Sequence, residues 1–171
     1  MRRLGLCSAA AVFALLGNAA VAEGEGAMAM LKAQDGGDVG HVTLTQGPRG
    51  TLFHAELTGL APGWHSFHVH ETGSCTGDFE DAGGHYAPDE NGHGLLHEEG
   101  AHAGDLPNIH VASDGTAMAE FYSARLSVAG GDAPLMDEDG SAIVIHEGAD
   151  TYQSDAEAGA RVACGVITQT K

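Results

Sequence analysis

Cations are scarce in this chain. Seven Lys and Arg stand against 24 Asp and Glu over 171 residues, a formal charge of −17 at pH 7. Such a surface repels phosphate backbones and anionic headgroups, which excludes nucleic acid and anionic membranes as partners. Aromatic residues are few, five Phe, three Tyr and one Trp, and nothing points to a platform for stacking a planar substrate. No stretch carries a 3.6-residue apolar stripe capped at both ends, which argues against layers of helices. The motif H-E-x-x-H is missing, and with it the helix-borne zinc site of many hydrolases. Disorder is excluded too, because 43% of the residues are hydrophobic, enough for a core beneath a heavily solvated acidic exterior.

Long apolar runs are absent apart from one at the amino terminus. MRRLGLCSAAAVFALLGNAAVA joins Arg2 and Arg3 to a short apolar run and ends on Ala20-Val21-Ala22, a small-residue cleavage pattern. A membrane span needs roughly 20 apolar residues, and this run is shorter. Residues 1–22 are therefore expected to be a secretory signal peptide. That leaves 23–171 as one domain, periplasmic or secreted, with no stable membrane association after cleavage. Neither the paired arginines nor Cys7, with so little sequence ahead of it, has the surroundings of a twin-arginine signal or a lipid-attachment site. Cleavage takes the charge from −17 to −19 and leaves two of the three cysteines, Cys75 and Cys164. An even pair in an oxidising compartment predicts one disulfide. It would close a loop of some ninety residues, to which chain entropy assigns roughly 4 to 5 kcal/mol.

Glycine, by contrast, is abundant at 26 residues and marks many turns. The stretch EGEGAMAMLKAQDGG begins as a Gly-rich tail ahead of the first regular segment. Between the turns, period-two alternation recurs over 42–46, 51–60, 65–71, 109–112, 117–122, 142–146 and 161–168. Asp114-Gly115 carries the signal of a tight hairpin between two of these segments. Together they predict an all-β sandwich or barrel of seven to eight antiparallel strands. Two long segments, 73–108 and 147–159, interrupt the pattern. A compact domain rarely carries so long a connection without a functional reason, and Cys75, His85, His93, His97, His102 and Asp105 favour a first loop ordered by metal and disulfide.

In the strand FHVH, side chains at i and i+2 share a face, so His68 and His70 project together and can share one ion. An H-x-H pair alone is commonly surface polarity, but its neighbours raise the metal reading. His85, His93, His102 and Asp105 offer three imidazoles and a carboxylate, a set suited to tetrahedral zinc. His146, ending SAIVIHE, completes four imidazoles with His68, His70 and one loop histidine, and such a tetragonal set suits copper(II).

With FHVHETGSC, GGHY followed by His93, His102 and GDLPN, IVIHEGAD, and GARVACGVI, the chain resembles the copper,zinc superoxide dismutases of bacterial periplasms over roughly 27–168. The resemblance implies a Greek-key β-sandwich or barrel of immunoglobulin-like architecture, with two long functional loops. It implies one copper per subunit on His68, His70, His85 and His146, and one zinc on His85, His93, His102 and Asp105, His85 bridging the two. It implies a Cys75–Cys164 disulfide, and a catalytic Arg161 that holds the superoxide anion, since a guanidinium is a permanent cation. It implies that Asp150 ties a copper histidine to a zinc histidine from behind, and that His85 serves catalysis as switchable ligand and proton carrier. The implied reaction is dismutation of superoxide to dioxygen and hydrogen peroxide.

One departure stands out. Only fourteen residues separate His146 from Arg161, and they include Glu147, Asp150, Asp155 and Glu157 but no lysine. Attraction of a superoxide anion then falls to the metals and Arg161 at close range. His41, His54, His65, His97 and His110 are expected to be structural or on the surface. Trp64 is expected to pack in a loop, although an exposed tryptophan can mark an interface. Monomer and homodimer both stay open, and the rival to an enzyme is a protein of this fold that buffers copper or zinc without turnover.

Overall fold

Alternation of small apolar and polar side chains decides where this chain extends. In the computed structural model, which describes residues 26–98, 100–154 and 158–170, the first strand is β1 (Gly26–Ala33), burying Ala27, Ala29 and Leu31 while Met30 and Lys32 face out. The segments read from the sequence began only at 42, yet the period-two signal of β1 lies in AMAML. The expected signal peptide, Asp155 and Glu157 fall outside the described residues.

β2 (Asp38–Gly47) and β3 (Gly50–Leu57) follow, and Val42, Leu44, Phe53 and Ala55 enter the same core. The expected strand over 65–71 is divided into β4 (Gly63–His65) and β5 (Phe67–His70). The break falls at Ser66, whose N–H donates to Gly148 and whose carbonyl accepts from His146, because the chain changes partners there. β4 pairs with β6 (Ile109–Val111), and β5 pairs with β8 (Ala142–His146). β7 (Ala117–Ser123) pairs with β3, and β9 (Arg161–Gln169) lies between β8 and β1. All of these ladders are antiparallel.

The seven-stranded sheet runs β5-β8-β9-β1-β2-β3-β7, with β4-β6 as a separate pair. Its outermost strands, β5 and β7, meet across the core through Phe67 and Phe121, whose ring centroids are 5.2 Å apart. The sheet has curled until its edges face one another, the closure that relieves a twisted antiparallel sheet of exposed edges. The expected all-β antiparallel architecture is therefore present, with nine strands among the described residues in place of seven or eight.

The Asp114-Gly115 turn forms, with Gly115 N–H donating to Ala112 and Ala112 N–H to Thr116. It does not head a simple hairpin. β6 leaves the turn to pair with β4 while β7 pairs with β3, so local turn chemistry is kept and strand choice passes to the closing sheet.

β8 is buried on both faces. Ile143 and Ile145 enter the main core, whereas Ala142 and Val144 pack with Phe79, Ala82 and Cys164 beneath the first long loop. That loop carries a short 3-10 segment, Gly77–Ala82, and is fastened to β9 by the Cys75–Cys164 disulfide, with a Cα separation of 5.7 Å.

Candidate metal centre

On β5 the side chains of Phe67 and Val69 enter the core, which turns His68 and His70 together to the opposite side. Burial there is nearly complete, with both histidines 1% exposed. The first long loop then folds back along the free side of β5. Val69 N–H donates to Gly104, Tyr86 N–H to Val69 and Gly104 N–H to Tyr86, so backbone bonding sets His85 beside His70 and Asp105 beside His68. A Cβ on residue 104 would stand 2.3 Å from the Val69 carbonyl, and only glycine permits this approach. β8, paired along the other side of β5, delivers His146.

Two sets of side chains result. In His68, His70, His85 and His146, one nitrogen from each ring lies within 4.8 Å of every other. In His85, His93, His102 and Asp105, one ligand atom from each does the same. His85 is common to both. These are the two quartets read from the sequence, and the remaining hydrogen bonds show which nitrogen each ring has left.

His70 Nδ1 faces the Gly83 carbonyl at 3.0 Å and His146 Nδ1 the Gly159 carbonyl at 3.2 Å. Their Nε2 atoms turn inward, 3.4 Å apart. His68 uses the other nitrogen, donating from Nε2 to Asp150 Oδ2 at 3.0 Å and leaving a buried Nδ1 with no partner. His85 Nδ1 lies 2.8 Å from Asp105 Oδ1, on the side of the second set. His93 Nδ1 and His102 Nδ1 stand 3.1 and 3.3 Å from the Asp105 carboxylate, yet both are buried without hydrogen-bond geometry. Nitrogens that lie beside an oxygen without aiming at it are placed as co-ligands of one ion would be. Asp150 Oδ2 also lies 3.1 Å from His93 Nε2, so one carboxylate backs a ring of each set. Such backing fixes tautomer and orientation in metal sites.

Burial disfavours the charged imidazole and lowers the pKa of His68 and His102, of His70 to about 2 and of His146 to about 4. These rings are neutral at pH 7, the form that binds metal. Burial pushes Asp105 and Asp150 the other way. It is outweighed at Asp105 by bonds from His85 and the Gly94 N–H, and at Asp150 by bonds from His68 and the Tyr152 N–H, which bring Asp150 to about 2 and hold Asp105 well below the usual range. Unpartnered inward nitrogens, neutral rings and ionised carboxylates fit two cations bound side by side.

Arg161 sits at the rim. β9 carries one extra residue opposite the end of β8, pairing Ile145 with Ala163 but His146 with Arg161. That bulge sets the arginine opposite the histidine, a known use of bulges near functional sites. Its guanidinium donates to the carbonyls of Phe79 at 2.7 Å and Gly83 at 2.8 Å, and Glu80 Oε2 approaches to 3.7 Å. Neither the Gly83 carbonyl nor Glu80 could be found from the sequence, since a carbonyl has no residue signature and Glu80 reads as one acid among 24.

His65, His54, His41 and His110 keep to structural and surface places, while His97 is half-buried with its Nδ1 unpartnered. His65 is buried with its ring nitrogens 2.7 Å from the carbonyls of His146 and Ala61. His54 bonds Glu120 at 3.1 Å and His41 lies 3.5 Å from Glu56, on the outer sheet face. Trp64, 59% exposed, packs edge-on against His110.

A curled antiparallel sheet carrying two histidine-rich sets that share one ring and could each hold an ion marks the chain as a metalloprotein. Comparison with known proteins agrees. The copper/zinc superoxide dismutase (SODC) family model matches residues 39–167. A superoxide dismutase [Cu-Zn] of Caulobacter vibrioides is 50% identical over 147 residues, covering 82% of this chain and 84% of that protein. Superoxide dismutase [Cu-Zn] 1 of Aquifex aeolicus is 41% identical over 139 residues, covering 78% and 82%. The crystal structure of a SOD-like protein from Bacillus subtilis superposes with a TM-score of 0.77 at 37% identity, covering 81% of this chain and 96% of that one. This chain belongs to the copper/zinc superoxide dismutase family. Its reaction is the dismutation of superoxide, and its cofactors are copper and zinc.

Proposed function

We propose that dismutation runs at a His85-bridged pair of ions, copper held by His68, His70, His85 and His146 and zinc by His85, His93, His102 and Asp105, one of each per chain. The observation that carries this is the division of ring nitrogens. In three rings of the first set the outer nitrogen is committed to a protein oxygen at Asp150, Gly83 or Gly159, while the inner nitrogen of His68 has no partner and those of His70 and His146 face each other 3.4 Å apart. Four imidazoles without a carboxylate suit copper(II), and three with one carboxylate make a closed zinc set.

When bound, copper supplies a one-electron couple, taking an electron from one superoxide, released as dioxygen, and returning it to a second, released with two protons as hydrogen peroxide. The chain's residues do the rest. Arg161, held in a fixed direction by two carbonyls, attracts and orients a small anion at the mouth. His85 has Nδ1 engaged on the Asp105 side, and its other nitrogen holds and releases a proton on the side of His68 and His70. Asp150 keeps His68 and His93 oriented at once.

The test is pulse radiolysis of the chain loaded with copper and zinc, beside His146→Ala. Fast second-order decay of superoxide, lost in the variant, supports the assignment. Full metal occupancy without fast decay would turn the reading to metal buffering instead.

We also infer that the chain is exported to the periplasm or secreted, residues 1–22 being removed. The Cys75–Cys164 disulfide supports this, since such bonds persist in oxidising compartments. Intact-mass analysis of the mature protein checks it, the expected first residue being Glu23.

A further inference from the structure

Among the described residues, four other than glycine have positive φ: Asp78, Phe79, Glu90 and Tyr152. Tyr152 is a bulky one, at φ 65, in the loop between β8 and β9 and two residues past Asp150. Bulky side chains seldom adopt this conformation, and where they keep it the surroundings must enforce it. Glycine would hold the same turn without strain, so the side chain itself must have a use.

Every polar group of Tyr152 is engaged, and each on a different segment. Its N–H donates to Asp150 Oδ1 at 2.7 Å. Its carbonyl accepts from the Leu96 N–H at 2.9 Å, in the first long loop just after His93. Its phenol oxygen accepts from the Asn108 N–H at 2.8 Å, just beyond Asp105. Asn108 then clasps the Asp150 backbone twice, Nδ2 donating to the Asp150 carbonyl and Oδ1 accepting the Asp150 N–H, both at 2.9 Å. Gly94, next to His93, lies so close that a Cβ there would meet the Tyr152 carbonyl at 2.6 Å.

We propose that Tyr152 is a positioning residue for the zinc set. Its left-handed backbone points the N–H at Asp150 and the carbonyl at the His93 turn, while its phenol pins Asn108 and the far end of the same loop. Asp150 is thereby held where it reaches His68 Nε2 and His93 Nε2 together. The consequence is coupling between the two long loops. Removing the phenol should free Asn108 and let zinc leave faster, with copper still bound. This rests on the metal assignment proposed above.

The experiment uses the full mature chain with copper and zinc bound, as wild type, Tyr152→Phe, Tyr152→Gly and Asp150→Asn with and without Tyr152→Phe. Zinc dissociation is followed with a chelating dye, cobalt(II) at the zinc position by visible absorption, and the Asn108 amide by hydrogen exchange. Loss of one hydrogen bond predicts about fivefold faster zinc release in Tyr152→Phe, a changed cobalt spectrum and faster exchange at Asn108. Tyr152→Gly should release zinc at least as fast despite its easier backbone. In the Asp150→Asn background the further effect of Tyr152→Phe on zinc release should vanish. Wild-type release rates and cobalt spectra in both Tyr152 variants would overturn the proposal, as would a Tyr152→Phe effect undiminished by Asp150→Asn. Failure of the wild-type chain to bind zinc would overturn the metal assignment beneath it.

Discussion

Arg161 and His70 bond the same atom, the carbonyl oxygen of Gly83, at 2.8 and 3.0 Å. The rim arginine and a ring of the first metal set are thus referenced to one point of the backbone, in a loop that the Cys75–Cys164 disulfide fastens to β9. Replacing Arg161 by Met is expected to lower kcat/KM by about tenfold or more, the scale of losing a charge-assisted contact with the anion. Lys should fall between, because an ammonium keeps the charge but cannot fork onto two carbonyls. Pulse radiolysis at low salt measures it, and equal rates for Met and Arg would dismiss the role.

Asp150 backs one ring of each set, at 3.0 Å to His68 and 3.1 Å to His93. An Asn that keeps its oxygen on both rings must turn its amide NH2 onto the Tyr152 N–H, and the reverse orientation loses both rings. Asp150→Asn is expected to weaken zinc retention by about 10- to 100-fold, read by chelator competition. The metal-free form should melt lower as well, because the buried carboxylate's bonds from His68 and the Tyr152 N–H are disturbed there too.

Glu80 brings a carboxylate within 3.7 Å of Arg161, in a protein that is already strongly acidic. Superoxide meets repulsion at long range, so added salt should lower the rate of the wild type only weakly or raise it. Glu80→Gln should increase kcat/KM, and Glu80→Lys more so, with a steeper fall in salt. Rates that decline steeply with salt in the wild type would contradict this.

Acid should destabilise the metal-free form before it reaches the ordinary carboxylates. His146 is lowered to about 4 and His70 to about 2 by burial, while in the unfolded chain both take up protons near 6.5. The unfolded state therefore binds more protons as pH falls, so stability is full above about 6.5 and declines from there toward 4. Asp105 and Asp150, lowered from 3.8, extend the decline below that. Urea midpoints at pH 7.5, 6 and 5 check it, and a flat profile would show that these rings are not buried neutral.

Much of the centre was legible because its chemistry resides in side-chain type and spacing. H-x-H at strand period puts His68 and His70 on one face whatever the rest of the fold does. The interval from His85 to Asp105 can be read as a ligand set because a long loop is free to wrap an ion. The even pair of cysteines predicts the disulfide from count and compartment alone. β1 was less legible, as its alternating Ala and Met follow a Gly-rich lead. Asp114-Gly115 shows the opposite limit, a turn correctly signalled whose strands pair elsewhere.

By itself, then, the sequence determined the all-β class, the His68–His70 pair, the set of three histidines and Asp105, the disulfide and the acidic character, because each follows from residue identity and local period, while His85 as fourth member of the first set came from the family resemblance. Tertiary structure alone decided that a bulge brings Arg161 opposite His146, that Gly83 offers one carbonyl to two residues, and that Tyr152 joins the long loops. Those relations rest on backbone atoms and on strand partners far apart along the chain. Every residue supplies the same carbonyl and amide, so only the closed sheet selects which of them meet.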